Sequence, residues 1–136
     1  MLVTDTAEKI KTMEIRGAGR IARAAVSALG AHSAAFPSDD LMEYRNEMAR
    51  AAVLLIGTRP TAVSLPNAVH KVMRSLSGEF PSVASAQEQV SRACESFMHA
   101  SEEAVRRIGE VGARHIRDGD VVLPHCNSEA ALACLL

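Results

Sequence analysis

In three places along this chain a loop of small or charged residues runs into the start of a helical stretch, and each of the three could do chemistry. The first is Arg16-Gly17-Ala18-Gly19. Small residues let a phosphate approach the backbone, the unpaired N–H groups and dipole at a helix start attract it, and Arg16 adds a charged donor. A glycine-containing break between two helices explains the same residues without a ligand. The second is Gly57-Thr58-Arg59-Pro60-Thr61, where Arg59 stands beside a proline that stiffens the turn. An ordinary interhelical loop with a solvated arginine is the plainer reading there. The third is His125-Cys126-Asn127-Ser128, directly after a short apolar run. A cysteine at the start of a helix can have a lowered thiol pKa, which makes Cys126 a candidate acid, base or nucleophile. A small buried cysteine followed by a capping serine would look the same.

Other chemistry fits less well. His99 shares helix faces with Glu95 and with Glu103, but a catalytic zinc site needs three protein ligands, so these read as surface pairs and no metal is expected. Cys94, inside a helical stripe, and Cys134 read as core residues. His70 reads as a surface residue and His115 as a cap on the end of a long helix.

The elements that must position these segments follow from periodicity. Asp5 with Glu8 resembles a capping box, which predicts a short first helix before Gly17. Ile21, Ala25, Ala28 and His32 fall on one face of a second helix. Ser38, Asp39 and Asp40 mark the start of a third, whose stripe is Leu41, Tyr44, Met48, Ala52 and Leu55, running to about Ile56. Arg59-Pro60 breaks the pattern, since the residue before a proline is pushed out of helical geometry. A fourth helix is expected from about Thr61, with Pro66 tolerated in its first turns, to near Gly78. The longest runs from about Ser85 to Arg117, with Val90, Cys94, Phe97, Ala104, Ile108 and Val111 on one face. After Asp118-Gly119-Asp120, the run Val121-Val122-Leu123 reads as a short strand, and His125 to Ser128 opens another helix. Strand, loop and helix are the beginning of an α/β layer. A lone strand with one apolar helix cannot bury both faces, so the chain is expected to stop inside its second domain. The fold class is therefore mainly α: a helical amino-terminal domain over residues 1–118, then the first strand and helix of an α/β domain over 119–136.

A hydrophobic fraction of 48% with only 3% aromatics means that the core must be built from Ala, Val, Leu, Ile and Met, which suits helices. The formal net charge of -1 gives no global field for nucleic acid, so any anion site must be local. Three cysteines without a CxxC pair, and no secretory leader, point to a reducing, cytoplasmic setting. No window approaches the roughly 18 apolar residues of a membrane span.

Taken together, Met13 to Arg23, Thr58 to Ala68, and Asp118 to Ser128 resemble, in order and spacing, the archaeal ribose 1,5-bisphosphate isomerases related to translation initiation factor 2B. The resemblance covers essentially all of this chain but less than half of a complete family member, whose remainder is a Rossmann-like domain. Two relatives compete with it. Methylthioribose 1-phosphate isomerases typically have proline and alanine after the RGA motif and Asn-Thr-Gly after the cysteine, where this chain has Gly19-Arg20 and Asn127-Ser128-Glu129. Regulatory subunits of translation initiation factor 2B, which are not enzymes, lack the RGA signature and usually the cysteine. The resemblance implies conversion of ribose 1,5-bisphosphate to ribulose 1,5-bisphosphate in nucleoside-monophosphate breakdown. It casts Cys126 as the group that moves the C2 proton, with an aspartate in the remaining domain as the second acid-base group. Arg16, Gly17, Ala18, Gly19, Arg59, Ser128, Glu129 and Ala130 would bind the phosphates and sugar hydroxyls. It further implies no cofactor, a homo-oligomer built from dimers, and activation by AMP. Pro124 departs from the threonine common in the family and removes one possible hydroxyl contact.

Overall fold

The computed structural model describes residues 2–59, 63–125 and 128–136. Its elements are α1 (Leu2–Lys11), α2 (Ala18–Ala34), α3 (Leu41–Ile56), α4 (Ser64–Met73) with a short 3-10 turn (Arg74–Leu76), α5 (Val83–Ala113) and α6 (Glu129–Leu135). The apolar stripes explain the packing. Ile21, Ala25, Val26, Ala28 and Leu29 line more than one face of α2, which makes it the central helix, against α1, α3, α4 and α5. Tyr44, Met48 and Leu55 from α3, Leu65, Val69 and Val72 from α4, and Val90 from α5 close the core around it. Buried Ser33 and Tyr44 satisfy each other, Ser33 Oγ lying 2.5 Å from the Tyr44 hydroxyl.

Helix starts follow the capping residues where burial does not oppose them. Asp40 accepts from the Glu43 amide at 3.2 Å to open α3, and Ser82 accepts from Ser85 at 3.1 Å to open α5. At α1 burial wins. The helix begins at Leu2 rather than at an Asp5 cap, and Asp5 instead lies 3.3 Å from Lys9 within it. An earlier start buries Val3 on the face of Ala7 and Ile10. Burying a valine is worth about 1.5–3 kcal/mol, against roughly 1 kcal/mol for a cap.

The strand expected at Val121-Val122-Leu123 does not form: among the described residues there is no strand. Val121 and Leu123 are 97% and 92% exposed, in a segment without regular structure. A β-strand exists by pairing its backbone groups with a neighbour, and β-branched residues alone do not supply one. The helix after it does form. Ser128 caps α6 by accepting from the Ala131 amide at 3.2 Å, and α6 lies along the distal part of α5. That contact depends on two missing side chains: a Cβ on Gly109 would come within 2.9 Å of Ala133, and one on Gly112 would strike the Cys134 sulfur.

Candidate functional site

The amino end of α2 is where the sequence segments meet. The chain leaves α1 with Met13 at φ 66 and returns the Ile15 amide to the Lys9 carbonyl at 3.1 Å. It then enters α2 through Gly17 at φ 91, a conformation open to glycine and strained for other residues. Gly17 has no side chain with which to cap, and no acidic residue stands in the first turn. Among the described residues the backbone donors of that turn therefore keep no side-chain acceptor, which is the arrangement that favours an anion.

Two other segments reach the same place. Ser64, at the start of α4 and five residues after Arg59, donates its hydroxyl to the Ala18 carbonyl at 3.4 Å. Glu129, the first residue of α6, receives Arg20 Nε at 2.8 Å and both carboxylate oxygens accept from one terminal nitrogen of Arg23. Arg23 also donates to Ser101 of α5 at 3.2 Å. A Cβ on Gly19 would lie 3.2 Å from the Arg23 guanidinium and 3.4 Å from Glu129. Among the described residues, then, what rests beside Gly19 is this ion pair. Hydrogen bonding from Arg23, joined by Arg20, holds the Glu129 carboxyl below the usual glutamate range, against the opposing effect of partial burial.

The remaining predicted site residues divide. Arg16 is exposed and Arg59 half-buried, and neither pairs with a carboxylate among the described residues. Thr58, next to Arg59, donates its hydroxyl to the Leu55 carbonyl at 2.6 Å, which closes the end of α3. Ser128 is occupied as a cap and Ala130 sits in the first turn of α6. Cys126 lies outside the described residues, as do Asn127, Pro60, Thr61 and Ala62. The reading of Cys94 as core agrees with its burial, which pushes its thiol up to about 11 with help from Glu95, and it donates to the Val26 carbonyl at 3.5 Å. Cys134 is half-buried between α5 and α6. Among the described residues no three His, Cys, Asp or Glu side chains converge to hold a metal ion.

Sequence reasoning missed Arg20 and Arg23. A signal for them existed: they stand three residues apart in the first two turns of α2, where the helix dipole disfavours cations. Two arginines there call for a carboxylate partner from elsewhere.

The sequence pattern of the Initiation factor 2 subunit family matches residues 14–136. This chain belongs to that family. Within the Initiation factor 2 subunit family it is 45% identical over 134 residues to a ribose 1,5-bisphosphate isomerase of Methanocaldococcus jannaschii, covering 98% of this chain and 42% of that protein. It is 47% identical over 133 residues to a protein of the same name from Archaeoglobus fulgidus, covering 98% and 41%. A putative methylthioribose-1-phosphate isomerase from that same organism is 35% identical, covering 93% and 37%. Among solved structures, the delta subunit of translation initiation factor eIF-2B from A. fulgidus superposes with a TM-score of 0.75 at 33% identity, covering 92% of this chain and 36% of that one. A 5-methylthioribose 1-phosphate isomerase from Pyrococcus horikoshii gives 0.78 at 28% identity, covering 86% and 33%. The chain thus spans less than half the length of the relatives it matches.

Proposed function

We propose that this chain is the amino-terminal portion of an enzyme that converts ribose 1,5-bisphosphate to ribulose 1,5-bisphosphate. The observation that carries the proposal is the meeting of three segments, around Ala18, Ser64 and Glu129, at the uncapped end of α2. Six ribose 1,5-bisphosphate isomerases at 42–47% identity support the choice of substrate over methylthioribose 1-phosphate. Residues 119–136 would begin the Rossmann-like domain that makes up the rest of the relatives' length, and Val121-Val122-Leu123 would pair there as a strand. The complete protein would be a cytoplasmic homo-oligomer built from dimers and activated by AMP.

A phosphate on C1 locks ribose as a ring. Reaction requires protonation of the ring oxygen and transfer of the C2 proton to C1 through an enolate, so two acid-base groups are needed. Cys126 would move the C2 proton, and an aspartate in the other domain would serve the ring oxygen. Arg16 to Gly19, Arg59 and the start of α6 would hold the phosphates and sugar hydroxyls. The test is Cys126→Ser in the full-length protein, which keeps the shape of the side chain and removes its basicity. It should still bind ribose 1,5-bisphosphate and lose most of its turnover. Turnover close to the parent rate would sink the proton-transfer role, whereas no turnover by the full-length parent itself would favour the non-enzymatic regulatory subunit.

A further inference from the structure

We propose that Arg23 is a positioning residue, which grips Glu129 and so fixes the start of α6 against the amino end of α2. This rests on the isomerase reading, since its consequence is felt at Cys126, only two peptide units ahead of the cap Ser128. Three observations carry it. The Arg23 and Glu129 side chains are 16% and 19% exposed, unlike the surface pairs of α5, whose partners are 44% or more exposed. The pair spans 106 residues of sequence, and Arg23 adds the bond to Ser101, so one guanidinium ties together α2, α5 and α6. Finally, Glu129 is the first residue of a seven-residue helix with no fully buried side chain. So short a helix is marginal alone, and its placement must come from what holds it. Arg16 and Arg59, without carboxylate partners among the described residues, stay available for an external anion, whereas Arg23 is already committed to an internal one.

In the full-length protein, Arg23→Ala and Glu129→Gln should each lower kcat for ribose 1,5-bisphosphate by on the order of ten- to a hundredfold, the range for displacing a reacting group by about an ångström. KM should rise as well, since the start of α6 also holds substrate, but by a smaller factor than kcat falls. The double variant should be no worse than the poorer single one, because both act through one contact. Losses that multiply, or a raised KM with kcat intact, would overturn the proposal and make Arg23 a substrate-binding residue. Should Arg23→Ala fail to fold, Arg23→Lys keeps charge and stem without the planar fork and should give an intermediate kcat; a parent-like kcat there would equally overturn it. The alkylation rate of Cys126 by iodoacetamide is the independent readout. If the parent protein proves not to be this isomerase, the same non-multiplying change should still appear in that rate. Its absence would sink the positioning role by itself.

Discussion

Along its amino half α5 buries Val83, Ala86, Val90 and Cys94 in a core shared with the other long helices, while along its carboxyl half Ile108 and Val111 are each 48% exposed. The second half holds α6 by other means, a close approach at Gly109 and Gly112 and the ion pair of Glu129 with Arg20 and Arg23. One end is held by apolar area, which is spread over many residues and tolerates reshaping. The other is held by a few positions that must be as they are. The end that carries the candidate chemistry is therefore the one with less redundancy.

The contrast can be tested by breaking each end separately. Leu29→Ala, at a fully buried position in α2, should cost about 2–5 kcal/mol of global stability. A denaturant melt should show the whole bundle unfolding earlier, and a loss below about 1 kcal/mol would mean that the core is not centred on α2. Gly112→Ala should cost about 1–3 kcal/mol through overpacking against Cys134, but locally. Amide exchange should accelerate in α6 while the amides of α2 and α3 keep their protection; uniform acceleration would erase the distinction between the two ends.

Acid provides a gentler separation. Because the Glu129 pKa is lowered when α6 is docked, its contribution is fully present above the ordinary glutamate value and is lost as pH falls through the lowered one. Protection of the α6 amides should fall across that acidic window in the parent and stay flat in Glu129→Gln. Equal profiles for the two would mean that the pair does not hold the helix. The smallest effect is expected at Arg106→Ala. Its partners Glu103 and Glu110 are exposed on α5, so stability should change by less than about 0.5 kcal/mol.

The helices were legible because the stripes are long: Tyr44 through Leu55 and Ile21 through Ala28 bury as their spacing predicts. The first helix was misjudged at its start because a cap signal at Asp5 competes with the burial of Val3, and local patterns do not weigh the two. The strand failed for a different reason, since the pairing of Val121 to Leu123 depends on a neighbour and is not a property of those three residues. At the site, Arg16 to Gly19 and Arg59 stand out from loop and helix-start chemistry, whereas Glu129 enters only through the family resemblance. The partnership of Arg23 with Glu129 could not be read from either, because it joins residues 106 apart. Only the awkward placement of two cations at a helix start hinted at it.

The length of α5 has a mechanical side. At 31 residues it extends about 46 Å, and a change of about two degrees in its tilt within the bundle would carry its far end about 1.6 Å. The helix is a lever that magnifies small errors of core packing into displacements at α6. The Arg23 to Ser101 hydrogen bond acts as a second bearing partway along it. Beyond that point the remaining arm is only 12 residues, about 18 Å, and the same tilt about Ser101 moves its tip by about 0.6 Å. Substitutions deep in the bundle, remote from the candidate site, would thus reach it as errors of aim, reduced about two and a half times by one side chain.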